Sequence, residues 1–228
     1  MSATTQVAAG TWFHNPATGE VGRVNVGPAE SHGRRFEADL WLQPGAAVVG
    51  AHIHSRFIER FEVLDGEVGL LLGDDKRYAG AGDPVITVPV GTVHDWWNAG
   101  AGIAHVRFTV EAAPNAPGRP ATRFAESIEV LFSLGALGHV NAKGLPDPLW
   151  LAAIAREYRD VVRFVRPPAV VQAALFGPLS ALARRTGRDP LRPDLHGPAA
   201  PCVIADPGED GLAELLAQPV AARAARGH

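Results

Sequence analysis

Apolar and polar residues alternate between Phe36 and Gln43. Phe36, Ala38, Leu40 and Leu42 share one side, and Glu37, Asp39, Trp41 and Gln43 share the other. Successive side chains of a strand point to opposite faces, so this pattern predicts a half-buried strand. Upstream, Asn15–Glu20 reads as a turn between short strands at Thr11–His14 and Glu20–Val26. From Val48 to Val110 short apolar runs recur, separated by turn-forming residues at Asp65-Gly66, Gly73-Asp74, Gly80–Asp83, Gly91 and Ala99–Gly102. Asp65-Gly66 in particular reads as a hairpin turn. Such a cadence suits an antiparallel sandwich or barrel rather than βαβ units. The last run, Ile103–Val110, puts His105 and Arg107 on one face and Ala104, Val106 and Phe108 on the other.

The period changes after Glu111. Residues 113–121 are Pro-rich and predict a linker, and helical spacing follows. Thr122–Leu137 carries Phe124, Ile128, Leu131 and Phe132 on one stripe, with Glu126 and Glu129 opposite. Asn141–Pro148 breaks this helix, and Pro148 suits the first turn of the next. Leu149–Val165 then repeats the spacing with Trp150, Ile154, Tyr158, Val161 and Val162, and a third helix is predicted from Ala169 to Arg185 after Pro167-Pro168. These stripes must cover the barrel mouth, a barrel flank or a second subunit, so a homodimer is among the arrangements they allow. From Thr186 the chain is rich in Pro, Gly, Ala and Arg, which predicts a loose tail with a short helix near Gly211–Ala224. The chain thus divides into a β-barrel over 1–112, a linker over 113–121, a helical extension over 122–185 and a tail over 186–228.

Four residues within the strand region carry candidate chemistry. His52 and His54 stand at i and i+2 of a predicted strand and so project from the same face. Glu59 follows four residues after His54, and His94 arrives one or two strands later. Three imidazoles and a carboxylate form a mixed N/O donor set suited to Fe(II), Mn(II), Ni(II), Cu(II) or Zn(II). If Glu59 points inward, alternation sends Phe57 and Phe61 inward too; if His94 does, so does Trp96.

The spacing also carries a family resemblance. One block reads Gly45, six residues, His52-x-His54, four residues, Glu59, six residues, Gly66. The other reads Gly82, six residues, Pro89-x-Gly91-x-x-His94-x-x-x-Asn98. Together they resemble the two signature motifs of the cupin superfamily, each with one extra residue after its first glycine. Residues 10–110 share the likeness. The Asn15–Glu20 turn and the Asn141–Pro148 segment are similar to those of bacterial cupins with a helical C-terminal extension. The resemblance implies an antiparallel double-stranded β-helix, or jelly roll, binding one divalent metal ion through His52, His54, Glu59 and His94, with Asn98 in a supporting or structural role.

Composition narrows the function classes. The 228 residues suffice for one domain with an appendage, and the net charge of −3 gives no basic surface for nucleic acid or an anionic membrane. Cys202 is the single cysteine and has no internal disulfide partner, which fits a reducing compartment. Residues 1–7 lack a basic, apolar leader pattern, and no run approaches the roughly 20 apolar residues of a membrane span. The expectation is a cytoplasmic protein whose partner is a small molecule. His14, His32 and His139 fall in or beside turns and are read as solvated.

A three-histidine, one-glutamate site is compatible with three activities. The first is an oxygenase in which an enolate or catecholate reacts with O₂ and Glu59 is the catalytic base. The second is a non-redox cyclase, isomerase or lyase using zinc as a Lewis acid. The third is a small-molecule-binding barrel without catalysis. Phe57, Phe61 and Trp96 would give an apolar pocket for an aromatic or enolisable substrate, and His105 and Arg107 are candidates to meet its carboxylate or carbonyl.

Overall fold

The computed structural model describes residues 7–47, 50–141 and 144–218. Expectations that fall on Met1–Gln6, Val48, Lys143 or residues 219–224 lie outside those residues.

Ten strands form the first part of the chain. They are β1 (Trp12–Asn15), β2 (Glu20–Val26), β3 (Arg35–Leu42), β4 (His52–Ile53), β5 (Phe57–Asp65), β6 (Glu67–Leu72), β7 (Asp75–Gly80), β8 (Ile86–Val88), β9 (His94–Asn98) and β10 (Ala104–Ala112). The rest holds helices α1 (Pro120–Ala136), α2 (Pro148–Glu157), α3 (Ala169–Arg185) and α4 (Gly208–Ala217), with two short strands, β11 (Arg163–Phe164) and β12 (Val203–Ile204). Strand pairing is antiparallel, in a seven-stranded sheet ordered β12-β1-β2-β3-β10-β5-β8 and a five-stranded sheet ordered β11-β4-β9-β6-β7.

Side-chain alternation builds the core. In β5, Phe57, Glu59, Phe61 and Val63 are buried while Ile58, Arg60 and Glu62 are half-exposed. In β10, Ala104, Val106, Phe108 and Val110 face inward, opposite Leu42, Leu40, Ala38 and Phe36 of β3. Trp97 alternates outward from Trp96 yet is buried, because it lies over Gly69: a Cβ there would fall 2.3 Å from the indole ring.

Asp65-Gly66 is not a hairpin turn. β5 pairs with β10 and β8, whereas β6 pairs with β7 and β9, so the chain crosses there from one sheet to the other. Gly66 makes the corner at φ +79°, with its Cα so close to Ile103 and Ala104 that a Cβ would meet their backbone at 2.8–2.9 Å.

The helical region departs from expectation in two places. Asp147 caps α2 by accepting from the Leu149 and Trp150 amides, and Pro148 fills the first turn, as its sequence predicts. The helix stops at Glu157, not Val165. Val161–Val165 is rich in β-branched residues, which favour strands, and β11 pairs Arg163 with Ile53 and Phe164 with His52. Nor is the tail loose over its described part. Leu195, Ala200 and Cys202 are buried, β12 pairs with β1, and Gln43 donates to the Leu216 carbonyl in α4. Glu126 and Glu129, expected opposite the apolar stripe of α1, are also buried. Glu126 pairs with Arg123, and Glu129 accepts from the Gly197 amide while its carboxylate lies 3.3 Å from His196 Nδ1.

Candidate metal centre

His52 and His94 are cross-strand partners, paired directly between β4 and β9. His54 follows β4, and Glu59 reaches the same point from β5 in the other sheet. All four side chains are buried, and one donor atom from each lies within 4.8 Å of the other three.

Each imidazole is oriented by a main-chain carbonyl. His52 Nδ1 lies 2.6 Å from the Gly50 oxygen, His54 Nδ1 2.6 Å from that of Val161, and His94 Nδ1 3.0 Å from that of Thr92. Carbonyls only accept, so Nδ1 carries the proton and each Nε2 lone pair turns toward the cluster. There His54 Nε2 lies 3.1 Å and His94 Nε2 2.6 Å from the two Glu59 oxygens. The Nε2 atoms of His54 and His94 and one Glu59 oxygen are buried with no hydrogen-bond donor facing them among the described residues. Lone pairs at these distances repel unless a cation lies between them. A proton between His94 and Glu59 answers for that pair alone, whereas one metal ion answers for all four. Bonds of about 2.0–2.2 Å hold donors up to roughly twice that apart, so around an ion the widest separations would close slightly and the 2.6 Å His94–Glu59 contact would open.

Burial, reinforced by the two neighbouring imidazoles, pushes His52 down to about 3, which keeps it a neutral ligand near pH 7. Burial works to raise Glu59, but His54 and His94 outweigh it and hold the carboxyl below its usual range. Burial also works to lower His94, and the Glu59 bond and charge more than reverse this.

A cavity of about 80 Å³ opens beside the cluster. About 10–15 Å³ of such space admits one water, so it holds several waters or a small ligand. Its walls are mostly apolar. Phe13, Phe36, Leu40, Trp96 and Phe108 come from the sheets, and Phe124, Ile128, Leu131, Phe132 and Ile154 from α1 and α2. The helical stripes therefore cover the barrel mouth. Trp96 lines the cavity, but Phe57 and Phe61 lie behind it: Phe57 stacks on the His54 ring at 4.3 Å, and Phe61 packs on Trp96 at 4.9 Å.

His105 and Arg107 do not reach the cavity. Alternation turns them to the outer face of β10, where Arg107 makes a two-pronged ion pair with Asp39 and His105 stacks on Trp41 at 4.4 Å. Asn98 is structural. Its amide donates to the Leu42 and Gly102 carbonyls and its oxygen accepts from Gly100, which ties the end of β9 to β3. Sequence reasoning missed Glu20 and Ser127 in the cavity wall and the Val161 carbonyl behind His54. Glu20 closes a turn motif and Ser127 sits beside Phe124 and Ile128 on a visible helical stripe. A backbone carbonyl carries no residue signature.

The sequence profile described as "Cupin domain" matches residues 40–110, the span that contains all four donors. Residues 40–110 form a cupin domain. Among solved structures, the chain is similar to a predicted oxalate decarboxylase from Thermotoga maritima, at 22% identity and a TM-score of 0.39 over 41% of this chain and 81% of that one. It is also similar to an RmlC-like cupin from Shewanella frigidimarina, at 18% identity and a TM-score of 0.37 over 50% and 97% of the two chains. A third is the cupin domain of an XRE family transcriptional regulator from Enterobacter cloacae, at 17% identity and a TM-score of 0.35 over 41% and 96%. No curated protein matches the chain. Cupin-type barrels host unrelated activities, so function has to be argued from the site itself.

Proposed function

We propose that this chain is a divalent-metal enzyme acting on a small aromatic or enolisable molecule, and that it is an oxygenase. One observation carries the reading: the four convergent donors of His52, His54, Glu59 and His94 stand beside an otherwise apolar cavity, with His54 Nε2, His94 Nε2 and one Glu59 oxygen lacking a hydrogen-bond donor among the described residues. When bound, an iron, manganese, nickel or copper ion would supply Lewis acidity and electron transfer with O₂, while zinc would supply Lewis acidity alone.

The protein's own contribution follows from its geometry. The three imidazoles hold their Nε2 atoms in place through the carbonyls of Gly50, Val161 and Thr92. Glu59 is the carboxylate of the cluster, so one of its oxygens can accept the proton of a substrate hydroxyl or of a carbon beside a carbonyl. Trp96, Phe108 and Phe124 offer flat apolar faces to a planar ring, and α1 and α2 exclude bulk water. Exclusion of water protects reactive species from side reactions, which suits the oxygenase.

The test is turnover of a panel of catechols and enolisable diketones by metal-loaded protein, with oxygen uptake recorded in the same assay. Glu59→Gln keeps the side chain's size and one oxygen donor but removes its basicity. It is expected to lower turnover by roughly 10²–10⁴-fold while retaining most of the metal. Oxygen consumption that tracks substrate loss supports the oxygenase. Undiminished turnover under argon overturns it in favour of a cyclase, isomerase or lyase, and no turnover at all in favour of a binding protein.

A further inference from the structure

A net charge of −3 predicts no basic surface, but it averages over the whole chain. Residues 156–192 carry eight arginines against three acids, Glu157, Asp160 and Asp189, a local charge of +5. Two of those acids are already matched: Glu157 pairs with Arg123 and Arg184, and Asp160 with Arg56 and Arg123. Arg163, Arg166 and Arg185 are exposed and make no ion pair among the described residues.

Between these arginines the chain is apolar. From Pro167 to Ala183 no residue carries a charge, and α3 spans most of that interval. The helix packs on α2, burying Ser180 and Ala183, and turns its other side outward. Val171, Leu175, Pro178 and Leu182 follow one another at steps of four, three and four, which puts them on one stripe of a helix. All four are exposed, and Val170 beside them is 76% exposed. With Val165 and Leu191, this stretch holds six of the ten exposed large apolar side chains among the described residues. Apolar residues scattered singly over a surface are ordinary, whereas a concentration on one helix marks a place of contact. Gln172 donates to the carbonyls of Phe164 and Pro167, so the first turn of α3 is tied to β11 and the stripe is held to the fold.

We propose that α3 and its flanking arginines form a surface that docks on an anionic lipid bilayer, with the helix lying along the membrane rather than crossing it. Charge complementarity selects this occupant. An uncharged helix about 25 Å long, with arginines at both ends, matches the boundary between headgroups and acyl chains. Its apolar stripe enters the acyl region, while Arg163, Arg166 and Arg185 extend to the lipid phosphates. A second copy is a poorer occupant, because a two-fold contact sets the same patch against itself and would oppose arginine to arginine. Docking of this kind is independent of the chemistry at the metal centre.

The experiment is co-sedimentation of the full-length protein with vesicles of phosphatidylcholine alone and of equal parts phosphatidylcholine and phosphatidylglycerol. The mixed vesicles are expected to bind it roughly tenfold or more tightly, and added salt should weaken that binding. Replacing the three unpaired arginines together (Arg163→Gln, Arg166→Gln and Arg185→Gln) should abolish the preference for the mixed vesicles. The pair Leu175→Gln and Leu182→Gln should weaken binding to both kinds. All five positions are exposed, so the melting temperatures should stay near that of the wild type. Equal binding of the two vesicle types by the wild type, or binding of neither, overturns the inference even if the variants fail to fold. Undiminished, equally selective binding by either variant overturns it as well. Failure to bind vesicles, together with a dimer in analytical ultracentrifugation that Leu175→Gln and Leu182→Gln abolish, overturns it in favour of a second copy.

Discussion

His52, His54 and His94 are donors whose direction is set by carbonyls of Gly50, Val161 and Thr92. The donors were legible in the sequence because a metal site demands ligand-type side chains at fixed spacing. Two of the orienting carbonyls lie only two residues from their histidines, but the third arrives from position 161. His52→Ala and His94→Ala each remove one donor and leave the remaining lone pairs facing each other. Elemental analysis should then show most of the metal lost in both, whereas Arg107→Ala, on the outer face of β10, should keep it. Arg107 and His105 were attractive candidates from residue type alone. Alternation had already put them opposite Phe108, which faces the cavity, and a strand cannot turn both faces inward.

Between elements, the candidate metal site depends on parts of the chain outside the cupin domain. β11 extends the five-stranded sheet beyond β4, and the Val161 carbonyl just before it holds His54. α1 buries Phe124 against Phe36, Phe57 and Phe108. Burying each such side chain stabilises the fold by roughly 1.5–3 kcal/mol. A chain ending at Pro120 should therefore be destabilised or insoluble. Any soluble fraction should bind metal roughly 10–100-fold more weakly, as loss of a ligand's orienting partner does. An undiminished melting temperature and metal affinity would show the extension to be a separate appendage. Helical spacing identified α1 and α3 well. It overran α2, because Val161 and Val162 fit both a helical stripe and a strand until Ile53 and His52 are there to pair with Arg163 and Phe164. Asp65-Gly66 misled for a related reason: a local turn signal does not say which sheet receives the next strand.

Over the whole molecule, the tail closes the structure around α1. His196 Nε2 lies 2.8 Å from the Pro190 carbonyl and Nδ1 3.3 Å from Glu129, so both ring nitrogens face acceptors and the protonated form is favoured. Burial works to lower its pKa, but the Glu129 bond and the Pro190 carbonyl prevail and raise it above 6.5. A raised histidine pKa contributes stability that is fully present below the unfolded value and is lost as pH rises through the folded one. Thermal melts of metal-free protein from pH 6 to pH 9 should show this contribution disappearing. His196→Gln should lie lower at pH 6 and change less with pH, and parallel curves for the two proteins would refute the assignment. Composition pointed to a loose tail because its buried residues, Leu195, Ala200 and Cys202, follow no period that a sequence pattern reveals. Among the described residues no helix is long and apolar enough to cross a membrane.

The pairing of β11 with β4 also sets an order of events during synthesis. His52–Ile53 leaves the ribosome with β9 still to come, and its other edge waits for Arg163–Phe164, more than a hundred residues later. At about 5–20 residues per second, His54 spends several seconds to some tens of seconds without the carbonyl that aims it. A metal ion that meets the nascent chain in that interval finds the donors without their final geometry. Selection of an ion would thereby be deferred until Val161 and β11 have been made.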